Sequence, residues 1–142
     1  MKHIKSHIVL GLMSGTSMDG LDCCLSSIKI SNNYKIEYEI LDWDIFKYSN
    51  SIRNLIRGTL KKNDNISYEN HKLGKLFSNI VVKFLNGRKV DIIGAHGQTI
   101  AHYDRILTKQ IGHPKYLHYK TGVPIVYNFR AQDIKAGGMV HL

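Results

Sequence analysis

Cysteine is nearly absent: the 142-residue chain holds only two, the neighbours Cys23 and Cys24. Adjacent residues of a strand point to opposite faces, so this pair is not placed to form a disulfide. Two reduced thiols fit a cytoplasmic protein. Long apolar runs are also missing. The apolar stretch at 8–13 is too short for the hydrophobic region of a signal peptide and ends in a polar turn. No segment approaches the ~20 apolar residues of a membrane-spanning helix, so neither a leader nor a membrane partner is expected. Acidic residues are scarce, 11 against 20 Lys and Arg, which gives a formal charge of +9. That sign of charge suits nucleic acid, phosphorylated ligands or a membrane surface. The basic residues are scattered, however, with Lys61-Lys62 and Arg88-Lys89 the longest runs, and they do not interleave with aromatics. A nucleic-acid partner is therefore not expected. No repeat, linker or low-complexity segment breaks the chain. With 43% hydrophobic and 22% charged residues, the composition is that of one globular domain or one lobe of a larger protein.

The run at 8–13 reads as a buried strand that stops at Ser14-Gly15-Thr16-Ser17. Asp19-Gly20 is a hairpin signal, and 21–30 resumes strand character. After a turn at Asn32-Asn33, residues 34–46 alternate, with Ile36, Tyr38 and Ile40 on one face. The three strands predict an antiparallel meander. Helices are predicted over 51–62 and 67–86. The second carries Leu73, Leu76, Phe77, Ile80, Val81, Phe84 and Leu85 as a stripe, with Gly87 at its C-cap. A strand at 90–95, a short helix at 114–120 opening on Pro114, and a strand at 123–127 follow. The fold class is thus α/β, a mixed sheet of about five strands in the order βββ-α-α-β-α-β. Polar or Gly-rich sequence follows the strand ends at positions 13, 96 and 128. Ligands of open α/β sheets sit beyond carboxyl strand ends, so chemistry is expected there.

Three segments carry it. In the first, Gly15 and Gly20 permit positive φ and close approach of a phosphate, and Thr16 and Ser17 offer hydroxyl and amide donors. Asp19 or Asp22 supplies hard oxygen for magnesium. The Gly-Lys-Ser/Thr ending of a Walker loop is missing, and a plain Gly-rich hairpin turn explains the segment equally well. In the second, His96-Gly97-Gln98-Thr99 presents directional donors and acceptors suited to sugar hydroxyls, or else is a polar loop. His96 and His102 lack a nearby carboxylate or thiolate to complete a metal set. In the third, Asp133 could act as a general base and Arg130 could hold a carboxylate or phosphoryl group, or the two are a surface pair.

Taken together, the segments resemble the anhydro-N-acetylmuramic acid kinase family. The resemblance rests on Gly11-Leu-Met-Ser-Gly-Thr-Ser-Met-Asp-Gly20, Gly94-Ala-His-Gly-Gln-Thr99 with His102, and Gln110-Ile-Gly112. Thr121-Gly122-Val123, Phe129-Arg130, Asp133 and Ala136-Gly137-Gly138 complete it, so that it spans residues 8–138. It implies the sugar kinase/Hsp70/actin superfamily and an RNase H-like (actin-like ATPase) lobe, one of two that close over ATP. The implied reaction is hydrolytic opening of 1,6-anhydro-N-acetylmuramic acid and phosphorylation to MurNAc-6-phosphate, in peptidoglycan recycling. By the same resemblance Gly15, Thr16, Ser17, Met18, Asp19, Gly20, Leu21 and Asp22 hold ATP, with Mg2+ at Asp19 and Asp22. His96, Gln98, Thr99 and Arg130 surround the sugar, Asp133 is the base, and full-length members form homodimers.

Two departures stand out. Asn128 occupies a position where the family usually has Asp. The family also continues Gly-Gly-x-Gly-Ala-Pro-Leu, where this chain reads Gly137-Gly138-Met139-Val140-His141-Leu142. A message ATG GGT GCA CCT TTA G that loses one G becomes ATG GTG CAC CTT TAG, which encodes Met-Val-His-Leu-stop. The expectation is an amino-terminal lobe interrupted after about residue 138, with 139–142 a frameshift tail. The isolated chain is then expected to be inactive, or to be a binding module paired with a separately encoded second lobe.

Overall fold

The computed structural model describes residues 4–62, 65–103 and 107–137, so the expected tail at 139–142 lies outside the described residues. The chain opens with the predicted meander: β1 (Ser6–Ser14), β2 (Gly20–Ile30) and β3 (Ile36–Lys47), each antiparallel to the next. Then come α1 (Asn50–Leu60), α2 (Ser67–Leu85) and β4 (Ile92–His96), which pairs parallel to β1. A hairpin of β5 (Gln98–Tyr103) and β6 (Leu107–Ile111), the helix α3 (Lys115–Thr121), β7 (Ile125–Tyr127) and α4 (Phe129–Lys135) complete the order. The main sheet runs β3-β2-β1-β4-β7, with β4 and β7 also parallel. This is the five-stranded mixed sheet expected of an RNase H-like, actin-type lobe.

The expected element order missed the β5–β6 hairpin and α4. The hairpin's polar sequence hides its alternation, and α4 is too short for a helical stripe to show. Two conformational expectations also change. The left-handed residue of the β1–β2 turn is Met18, at φ 60, and neither Gly15 nor Gly20 has positive φ. At the end of α2 the left-handed C-cap is Asn86, with Gly87 one residue on.

The core lies between one face of the sheet and the helices. Leu10, Leu12, Leu21, Cys23, Leu25 and Ile93 meet Ile56 of α1 and Leu73, Phe77, Val81 and Phe84 of α2, all buried. The predicted α2 stripe is therefore core, each such side chain contributing ~1.5–3 kcal/mol. Phe46 of β3 meets Phe84 edge-on at 6.1 Å. Arg88 ties the same corner together: its guanidinium donates to the carbonyls of Phe84 and Leu85 and lies 2.8 Å from Asp42. Cys23 faces this core, and burial pushes its thiol up to about 12. Cys24 lies on the opposite face, where its Sγ is 3.5 Å from Ser26 Oγ.

The other face of β3 carries Ile36, Tyr38, Ile40, Trp43 and Ile45, all exposed. Strict alternation would send Trp43 and Ile45 to the face opposite Ile40. The register shifts between Leu25 and Ser26, which pair with Asp42 and Ile40, so Leu41 is an extra residue. This bulge switches the parity and gathers the five apolar side chains on one side.

Candidate functional site

Because β1, β4 and β7 are parallel, their carboxyl ends meet at one edge. Met13 pairs with His96, and Ala95 with Tyr127, so Ser14, His96 and Asn128 follow one another along that edge. The three segments singled out in the sequence are thereby brought together.

The β1–β2 turn is closed by the Met18 N–H donating to the Gly15 carbonyl at 3.1 Å. Gly20 is required by close approach, since a Cβ there would lie 2.5 Å from the Phe46 carbonyl oxygen. Gly15 is different: a Cβ there would meet only Ser17 Oγ, at 3.9 Å. Thr16, Ser17 and Asp19 are exposed around it. The turn thus offers an unobstructed backbone and free hydroxyls to a ligand outside the lobe. Leu21, by contrast, is fully buried and belongs to the core. Asp19 and Asp22 are both exposed, and no group of three or more metal-ligating side chains exists among the described residues. That donor set fits magnesium carried on phosphate oxygens, which takes one or two carboxylates and keeps its waters.

Next to the turn, beyond β4, a cavity of about 260 Å³ is lined by Leu12, Asn70, His96, Gln110, His113 and Asn128, among others. The β5–β6 hairpin makes its wall. Gln110 Nε2 donates to His96 Nε2 at 3.0 Å and to Thr99 Oγ1 at 3.4 Å. With Nε2 accepting, the His96 proton sits on Nδ1, and that atom is buried without a partner. Burial, and after it the charge of Arg130, holds the His96 imidazole below its ordinary pKa. Arg130, on α4, also has a buried Nη1 without a partner. Two buried donors, one of them on a residue that lines the cavity, are therefore left unsatisfied. Such groups carry a desolvation cost that a bound acceptor removes.

Other expected residues take different positions. Gln98 is fully buried; its Oε1 accepts from Ser14 Oγ at 2.7 Å and its Nε2 donates to the Thr99 carbonyl at 3.2 Å. Its amide is thus engaged within the fold. Asp133 is exposed on α4, one turn beyond Arg130 on the same side. The side chain of His102 lies outside the described ones.

Sequence reasoning left Gln110, Asn70 and Tyr48 unassigned. Asn70 anchors the loop after β6, its Oδ1 accepting from the Gly112 N–H at 2.9 Å and its carbonyl from the His113 N–H at 3.0 Å. Gly112 has φ +111, and a Cβ there would lie 2.4 Å from Phe77 Cε2. The signal for Gln110 was present in the Gln110-Ile-Gly112 motif. Nothing marks Asn70 or Tyr48 in the sequence.

The sequence model described as "Anhydro-N-acetylmuramic acid kinase" matches residues 7–140. The chain is 34% identical to the anhydro-N-acetylmuramic acid kinase of Caldanaerobacter subterraneus subsp. tengcongensis, over 94% of this chain and 38% of that protein. It is also 34% identical to the protein of that name from Bacillus thuringiensis subsp. konkukian, over 92% of this chain and 38% of the relative. The chain therefore spans about 38% of the length of these curated relatives. With the match running through every segment that meets at this strand edge, the chain belongs to the anhydro-N-acetylmuramic acid kinase family.

Proposed function

We propose that the chain is the phosphate- and sugar-contacting lobe of an ATP-dependent kinase that opens 1,6-anhydro-N-acetylmuramic acid and phosphorylates it to MurNAc-6-phosphate. The observation that carries this reading is the two buried, unpartnered donors, His96 Nδ1 and Arg130 Nη1, with His96 paired beside the strand end that opens into the glycine turn. The turn at Gly15 to Asp22 holds the phosphates of ATP, and Asp19 and Asp22 hold magnesium, directly or through water. Bound ATP with magnesium supplies the phosphoryl group. His96 and Arg130 donate to the sugar's oxygens, and Thr99 and Gln98 set the wall behind them. Asp133 takes a proton from the water that opens the anhydro ring. Phosphoryl transfer calls for positioned donors and charge more than for covalent help, which suits this inventory.

The test is titration calorimetry of the purified chain with 1,6-anhydro-N-acetylmuramic acid. Arg130→Ala and His96→Gln should each weaken binding, by roughly tenfold for Arg130. Equal binding by wild type and both variants would remove the assignment. One lobe does not shut water out of a cleft, so the chain alone should show no turnover with ATP. A second reading, a non-catalytic module that pairs with a separately encoded lobe, is favoured by the exposed apolar face of β3. Co-expression with the remaining length of a relative, followed by co-purification, distinguishes the two.

A further inference from the structure

Tyr48 lies between β3 and α1, remote in sequence from every motif above, yet only 5% exposed. Its main-chain N–H donates to the Asp19 carbonyl at 2.8 Å, at the far end of the β1–β2 turn. Its phenol lies 2.7 Å from Ser14 Oγ, at the near end. Ser14 has a single hydroxyl proton, which it donates to Gln98 Oε1 at 2.7 Å. The phenol must then be the donor to Ser14, and the chain of bonds runs Tyr48 to Ser14 to Gln98 in one direction. Burial pushes the phenol's pKa upward, so it keeps that proton across the physiological range. On either side of Tyr48 the backbone is fixed. Phe46 pairs with Leu21 across the sheet, and Ser49 caps α1 by accepting from the Ile52 N–H at 3.2 Å.

We infer that Tyr48 is the positioning residue of the phosphate turn, gripping both its ends and tying it through Ser14 to Gln98 beside the sugar cavity. This rests on the phosphate reading of the turn proposed above. The consequence is mechanical: the spacing between bound phosphate and bound sugar is set by one residue that touches neither. A loose tether of this kind costs alignment of the reacting groups.

Tyr48→Phe removes only the hydroxyl and keeps the ring. Amide hydrogen exchange and a Mg-ATP titration, both followed by nuclear magnetic resonance on the purified chain, provide the test. The Met18 amide should exchange about tenfold faster in the variant, while amides of the β2–β3 ladder keep their protection. Mg-ATP affinity should fall by roughly fivefold to tenfold. Ser14→Ala removes the same bond from its other end and should reproduce both effects, which also covers the case where Tyr48→Phe fails to fold. The double variant should be no worse than either single one. Unchanged exchange at Met18 in both variants overturns the positioning role. If wild type binds no Mg-ATP while the turn still loosens in the variants, positioning stands and the phosphate reading falls. If wild type binds Mg-ATP and both variants bind it equally well, the positioning role falls and the phosphate reading stands.

Discussion

His96 shows how one side chain couples the site to the stability of the lobe. Burial and the Arg130 charge lower its pKa from the ordinary 6.5. His113, across the same cavity, is lowered as well, by burial and then by the nearby His71 and Lys115 charges. Above about pH 6.5 both imidazoles are neutral in the folded and unfolded chain alike, and folding is not penalised. As pH falls below about 6.5 the unfolded chain takes up protons first, so stability is lost on descending toward the folded pKa values. The melting temperature should therefore drop as pH falls below about 6.5, and the double variant His96→Gln, His113→Gln should flatten that slope. An equally steep slope in the variant would mean that other groups govern the acid limb.

Elements are held in place here by a few close approaches. Helices α2 and α3 meet where Gly74 faces the His113 backbone, a contact that would put an added Cβ 2.5 Å from the His113 carbonyl oxygen. His71 stacks on His113 at 5.1 Å, and its Nδ1 lies 2.8 Å from the Tyr116 hydroxyl, closing the same seam. Gly74→Ala should therefore destabilise the lobe by ~1–3 kcal/mol, because the obstacle is backbone and cannot rotate away. Gly58 is a useful control: it is also helical, but with nothing within 4 Å of an added Cβ. Alanine there should stabilise by ~0.5–1 kcal/mol through helix propensity alone. Denaturant unfolding of the two variants checks both signs. The stripe that predicted α2 showed which face is buried, but not that a glycine on it is demanded by a loop almost forty residues later.

For the whole molecule, the outstanding feature is the apolar face of the edge strand β3. Long exposed apolar edges invite association, and Trp43 is 66% exposed within this one. No helix of the described residues is long and apolar enough to cross a membrane. The purified chain should self-associate with rising concentration, and emission from Trp43, the sole tryptophan, should shift to the blue as it is covered. Ile40→Lys should raise the dissociation constant by at least about tenfold, read by sedimentation equilibrium. Association that persists undiminished in Ile40→Lys would place the contact elsewhere.

The sequence alone determined the strand–turn–strand opening, the two long helices, the family, and the three polar segments at strand ends. These are local signals: period, glycine placement and residue type within a short window. Tertiary structure decided what each side chain in those segments does. Tyr48 reaches Ser14 across a separation of 34 residues, and Gln98 reaches it across 84. Whether Gln98 faces a ligand or is spent inside the fold depends on such distant bonds, which no local pattern encodes. The bulge at Leu41 belongs to the same class, because the pairing register that turns Trp43 and Ile45 outward exists only once β2 lies alongside β3.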